Sequence, residues 1–244
     1  MKQYSWNPWH GCYKKSEGCL NCYVYRHDAR YNQDASRIYQ TQNFKMPIQR
    51  NQNKEYKIPS GALIATCFTS DFFLETADQW RKEVWDMIRE RRDCRFSFLT
   101  KRIERFYKEL PHDWGNGWEN VEIGCSCENQ KRVDERIPIL LQLPIKTKQI
   151  ICAPLLEEIS LEKYLDLGID LVVVSGESGN EARVCDFNWV KKLQEECVKH
   201  NVCFVYRQTG ARLLKDGKIY RIKTEEQSTQ AKKAHLDYQH QSLI

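Results

Sequence analysis

Residues 63–71 read Leu63-Ile64-Ala65-Thr66-Cys67-Phe68-Thr69-Ser70-Asp71, an apolar run that ends in hydroxyls and a carboxylate. A short apolar run of this kind, closed by polar residues, suits a strand buried on both faces. Similar runs return at 94–99, 121–125, 149–153, 171–175 and 202–206. Between them, apolar residues fall at helical spacing over 77–88, 103–110, 133–141, 161–165 and 189–198. Four of the five start-to-start spacings fall between 27 and 31 residues and one is shorter, the length of a strand, a helix and two short loops. The class is therefore α/β. Parallel strands joined by right-handed helical crossovers predict a partial or complete parallel (β/α) barrel of the TIM-barrel kind, preferred here over an open doubly wound sheet.

Outward from this rhythm, residues 36–60 break the pattern. They are polar and basic, with Pro47 and Pro59, and read as a long excursion of the kind that can serve as a lid. Residues 1–210 are assigned to the barrel domain. Residues 211–244 are assigned to a C-terminal hairpin and polar tail: Lys215-Asp216-Gly217-Lys218 is a hairpin turn followed by the strand Ile219-Tyr220-Arg221-Ile222, and from Thr224 onward the chain is expected to be frayed.

The chain has 244 residues, 41% of them hydrophobic and 29% charged, which is enough for a full core and excludes a disordered or fibrous protein. No apolar run is long enough to cross a bilayer, and Met1-Lys2-Gln3-Tyr4-Ser5-Trp6 lacks the apolar stretch of a secretion signal. A cytoplasmic location without a membrane partner is expected. The net charge of +5 is spread along the chain and reads as a solvated mixed surface. Nothing in the sequence sets the oligomeric state.

Eleven cysteines, an odd number in a chain with no export signal, read as reduced thiols, some of them ligands. Three fall close together in Trp6-Asn7-Pro8-Trp9-His10-Gly11-Cys12 and Gly18-Cys19-Leu20-Asn21-Cys22-Tyr23. Thiolates select zinc, copper(I) or iron-sulfur clusters, and a Cys-x2-Cys pair can serve one metal centre. A structural zinc site normally takes four protein ligands, for which only His10 or His27 lies nearby. Cys12, Cys19 and Cys22 without an obvious fourth donor suit a 4Fe-4S cluster with one iron open to a small molecule. Zinc remains the alternative metal. The other eight cysteines read as small hydrophobes.

These residues resemble a family of phage- and bacteria-encoded three-cysteine-motif proteins of unknown function, related to the radical S-adenosylmethionine enzymes. The resemblance runs nearly end to end. It rests on the two cysteine segments together with Ser70-Asp71-Phe72-Phe73, Leu99-Thr100-Lys101-Arg102, Gly124-x-Ser126-x-Glu128-Asn129, Pro154-Leu155-Leu156, Gly176-Glu177-Ser178-Gly179 and Gln208-x-Gly210. It implies a radical-SAM-like β/α barrel, a cluster on the three cysteines, and S-adenosylmethionine bound to the open iron. It further implies an external electron donor, reductive cleavage of the sulfonium and radical chemistry on an unknown substrate, with nucleic acid one candidate. Three departures stand out. The gap between Cys12 and Cys19 is longer than in the wider superfamily, Ala153 replaces a carboxylate before Pro154, and Arg207 replaces a lysine before Gln208.

Read physically, polar residues follow each apolar run, where a β/α barrel gathers its functional loops. Asp71, Lys101, Glu128, Glu177, Ser178 and Arg207 are the candidate cofactor-binding residues, and no catalytic residue is singled out. Carboxylates can accept from an ammonium, with Asp71 and Glu177 the foremost candidates, while an arginine fork can hold a carboxylate. A plain turn around Glu177 and an exposed pair at Lys101-Arg102 are the competing readings. Trp6 and Trp9 could shield a cluster, but are read here as core aromatics. The competing function is a nucleic-acid-binding or repair-associated protein whose cysteines hold a structural metal, with the basic stretch 45–57 in its favour. A third is a barrel that keeps the fold without the activity.

Overall fold

The first strand is one that periodicity did not announce. In the computed structural model, which describes residues 2–240, β1 (Gln3–Trp6) buries only Trp6 fully, so its sequence carries almost no apolar signal. Two short strands, β2 (Trp9–His10) and β3 (Tyr39–Gln40), pair antiparallel with each other. The six expected strands then follow as β4 (Leu63–Thr66), β5 (Arg95–Thr100), β6 (Val121–Ser126), β7 (Thr147–Cys152), β8 (Leu171–Ser175) and, after the two-residue β9 (Cys185–Asp186), β10 (Cys203–Gln208). A seven-stranded sheet runs in the order β1-β4-β5-β6-β7-β8-β10. Its chain-order progression is that of a partial parallel β/α barrel, as the run spacing predicts.

The chain divides into two compact units. One comprises Met1–Lys15, Val24–Gly124 and Leu143–Thr147. The other comprises Ser16–Tyr23, Cys125–Gln142 and Lys148–Ile244.

In the first unit, β1 pairs parallel with β4 and β4 with β5. Helix α1 (Tyr23–Arg30) follows the cysteine segment, and α2 (Asp78–Glu90) buries Arg81, Val84, Trp85, Met87 and Ile88, the three-and-four spacing of one helical face. Phe72 and Phe98 stack at 4.0 Å between ring centroids, with Trp85 edge-on to Phe72 at 4.9 Å. Burial of each such ring stabilises by roughly 1.5–3 kcal/mol. Trp6 and Trp9 lie fully buried in this core, as expected, their indole N–H groups donating to Phe44 O at 3.0 Å and Asp71 O at 3.3 Å.

The excursion is anchored rather than loose. Phe44, Pro47 and Ile58 are buried, and the fully buried Arg91 donates to the carbonyls of Pro47 and of Ile58, the latter at 2.8 Å. The helix expected over 103–110 is instead a single 3-10 turn, Ile103–Arg105. Isolated turns follow, Lys108 N donating to Arg105 O, and the left-handed φ of 59° at Glu109 with Pro111 beyond it ends any helical continuation.

In the second unit, β7 pairs parallel with β8 and β8 with β10. Helix α3 (Gln130–Gln142) buries Val133, Arg136, Ile137 and Leu140, and a short α4 (Glu162–Leu165) precedes β8. Helix α5 (Phe187–Lys199) starts where Asp186 caps it, its carboxylate accepting from Asn188 N at 2.8 Å. The expected hairpin is present as β11 (Arg212–Lys215) and β12 (Lys218–Arg221), joined through Asp216 and Gly217, both at positive φ as a type I′ turn requires. The tail departs from expectation: Thr224–Lys233 forms α6, which buries Gln227 and Ala231 one turn apart. Beyond it Tyr238 exchanges both backbone hydrogen bonds with Phe204 at 2.8 Å. The end of the tail, 241–244, lies outside the described residues. Among those described, no helix is long and apolar enough to cross a membrane.

Candidate functional site

Cys12 follows a turn that only glycine fits. Gly11 has φ +89°, and a Cβ there would stand 2.3 Å from Arg37 O. The turn is held by Gly11 N donating to Thr69 O, Cys12 N donating to Ala35 O at 2.8 Å, and the Tyr25 hydroxyl donating to Cys12 O. Arg102 Nη1 stands 3.9 Å from Cys12 Sγ, and Nη2 donates to Tyr13 O at 2.9 Å. The thiol segment thus has a buried cation beside a donor that binds metal as its anion. Burial works against the guanidinium charge, but Asp71, Cys12 and Glu75 outweigh it and push the Arg102 pKa up.

Asp71 closes the same corner. Its carboxylate accepts from Thr100 Oγ1 at 2.7 Å, Lys101 N at 2.8 Å, Phe73 N at 3.0 Å and Arg102 Nη1 at 3.4 Å. It is buried and ties the loop after β4 to the end of β5. Arg81, fully buried on α2, donates to Phe72 O and Leu74 O and so pins the segment after Asp71 from below. Lys101 is half-buried, with its backbone committed to Asp71.

The Cys19–Cys22 loop lies in the second unit, between two buried carboxylates. Glu128 follows β6 and is wholly buried. It accepts from Ser16 Oγ, from Gly18 N at 3.0 Å and from Arg136 Nη1 at 3.0 Å. A Cβ on Gly18 would meet the Glu128 carboxyl at 3.1 Å, so the glycine is what lets the loop approach. Glu177 follows β8. It accepts from Asn21 Nδ2 at 3.0 Å, Arg183 N at 2.8 Å and the Arg183 guanidinium. Burial raises its pKa, but Arg183 and Asn21 more than offset this and hold the carboxyl below its ordinary value. Asn21 also donates to Glu181 O at 2.7 Å. At the loop's outer edge Glu17 makes a two-pronged pair with Arg132 at 2.8 and 2.9 Å, which pushes its carboxyl down to about 2.

Ser178 is half-buried beside Glu177, and Arg207 is exposed at a register shift in β10. Gly176 and Gly210 meet backbone to backbone, where a Cβ on Gly176 would lie 2.2 Å from Thr209 O, and Gln208 Nε2 donates to Gly176 O at 3.1 Å. Gly176, next to Glu177, thus serves the close approach of the end of β8 to the turn after β10.

Asn21, Arg102, Arg136 and Arg183 escaped the list of candidate residues. Asn21 sits inside the cysteine motif itself, and that position was its only signal. Arg136 and Arg183 reach their carboxylates from a helix and a loop, and nothing in local sequence marks them.

The described cysteines form no disulfide. Cys12, Cys19, Cys22 and Cys203 are partly exposed, whereas the other seven are buried. Burial pushes the Cys185 and Cys197 thiols up to about 12 and those of Cys67, Cys127 and Cys152 upward as well. Among the described residues, no group of three or more His, Cys, Asp or Glu side chains is gathered to hold a metal ion. A cubane cluster asks for a different donor arrangement, because each thiolate binds a different iron. Cys12 in the first unit and Cys19 and Cys22 in the second are partly exposed thiols, donors of the type such a cluster takes.

Compared with known families, residues 2–242 match the one described as "Protein of unknown function (DUF5131)". No curated protein and no solved structure matches the chain.

Proposed function

The chain belongs to the DUF5131 family of proteins of unknown function, and from that footing we propose that it is a cytoplasmic iron-sulfur enzyme of the radical S-adenosylmethionine type. Cys12, Cys19 and Cys22 would hold the 4Fe-4S cluster. Bound there and reduced by an external donor, the cluster supplies an electron for cleavage of the sulfonium of S-adenosylmethionine.

The observation that carries the reading is the bracing of the Cys19–Cys22 loop. Two buried carboxylates, each charge-paired with an arginine, hold residues 16–21 by side chain and backbone. A buried ion pair adds little net stability compared with apolar packing. Two of them on one loop are better explained by the need to fix that loop. In this reading Glu128 and Glu177 position the thiols, Asp71 and Arg102 order the Cys12 corner, and Lys101, Ser178 and Arg207 are the candidate contacts of a zwitterionic ligand.

Protein purified without oxygen and reconstituted with iron and sulfide is expected to hold about four irons per chain and to show sulfide-to-iron charge-transfer absorption. Cys19→Ala should lose most of both. Under strong reductant, S-adenosylmethionine should be converted to 5′-deoxyadenosine and methionine. Stoichiometric zinc without sulfide overturns the cluster, and intact S-adenosylmethionine in cluster-loaded protein overturns the enzymatic half.

A further inference from the structure

The C-terminal hairpin concentrates positive charge in a way the fold does not require. Residues 211–223 carry five cations, Arg212, Lys215, Lys218, Arg221 and Lys223, against one carboxylate, Asp216, in a chain whose net charge is only +5. Antiparallel pairing sets Arg212 opposite Arg221 and Lys215 opposite Lys218. Directly opposed like charges destabilise a sheet. Charged residues on an edge strand do discourage aggregation, and β12 is an edge of its three-stranded sheet, but that purpose needs no facing cation pairs.

No carboxylate among the described residues neutralises these cations. Lys215 and Lys218 lie over the rings of Phe187 and Tyr220 instead, and Arg212 Nε is buried without an acceptor. The basic stretch 45–57 differs, because there Lys45 and Arg50 pair with Glu83 and Glu90 of α2. All four residues of β12 are exposed, among them Ile219 at 47% and Tyr220 at 41%. An exposed aromatic ring on the same face as two lysines that pair with no carboxylate among the described residues matches a chain of phosphates carrying bases.

We infer that one face of the β11–β12 hairpin is a binding surface for a single nucleic-acid strand, with Lys215 and Lys218, which the register sets side by side, on phosphates and Tyr220 of the same face stacked on a base. This goes beyond the metal-centre reading and does not depend on it, since the hairpin contains no cysteine and binding can be read with or without iron.

The test is fluorescence anisotropy of a labelled single-stranded oligonucleotide with the full chain, titrated from about 50 to 200 mM salt. Affinity is expected to fall steeply with salt. Lys215→Gln with Lys218→Gln should weaken binding about tenfold or more at low salt and make the log–log salt slope shallower by roughly 1.4, two phosphate contacts at about 0.7 each. Tyr220→Ala should weaken binding about five- to a hundredfold with the slope unchanged, as loss of one base stack does. Unchanged thermal melts would show that the variants fold. Absence of salt-dependent binding, variants that bind like the parent, a duplex bound as tightly as the single strand, or retention on anionic vesicles but not on the oligonucleotide would each overturn the inference.

Discussion

At the scale of single residues, Glu128 and Glu177 show how a strand-end carboxylate can serve a site through a loop. Glu128 is wholly buried and satisfied by Ser16, Gly18 and Arg136. Glu128→Ala would leave the Arg136 charge buried without its counter-ion, and is expected to cost about 3–5 kcal/mol in urea unfolding. The thiols offer a second test. In cluster-free protein, alkylation near pH 8 is expected to reach Cys12, Cys19, Cys22 and Cys203 first, because these are partly exposed while burial raises the pKa of Cys185 and Cys197 to about 12. Mass spectrometry of the modified peptides checks the order, and early labelling of the deeply buried Cys152 would contradict it.

At the scale of elements, the excursion 36–60 is fastened to its own unit by side chains that include Trp6, which donates to Phe44 O, and Arg91. Arg91 holds two of its carbonyls, pairs with Asp93 and stacks on Tyr56 at 4.1 Å. Arg91→Leu is expected to leave those carbonyls without donors, to lower stability by about 2–4 kcal/mol and to open the excursion to limited proteolysis near residues 50–57. Cleavage no faster than in the parent would show that apolar packing of Phe44 and Ile58 suffices. The turn before Cys12 is as exacting. Gly11→Ala would combine a left-handed φ with a Cβ driven into Arg37 O, and should cost more than about 1 kcal/mol in thermal unfolding.

At the scale of the whole molecule, carboxylates held below their ordinary pKa set how stability depends on pH. Glu17 and Asp93 are pushed down to about 2 by hydrogen bonds from Arg132 and Arg91, and the Glu177 carboxyl is lowered too. A depressed acid stabilises the fold above its unfolded pKa, near 4, and that contribution is lost as pH falls through the folded value. The urea midpoint is therefore expected to be level above about pH 5 and to fall between about pH 4.5 and 2. In Glu177→Gln the upper part of that fall should be shallower. The parallel α/β plan was legible in the sequence because a strand buried on both faces leaves a continuous apolar run, and the hairpin because Asp-Gly selects its turn. Strand β1 and helix α6 were not, since each buries only one or two side chains against partners distant in the chain, and 103–110 was misread because three-residue spacing cannot tell a 3-10 turn from a helix. For the candidate site, sequence alone determined which residues could carry the chemistry: three clustered thiols and a polar group after each strand. Only the tertiary structure decided that Glu128 and Glu177 are spent on the cysteine loop and Asp71 on the end of β5. The hydrogen bonds that decide it join residues 29 to 156 positions apart, and such contacts are set by packing, of which local sequence holds no record.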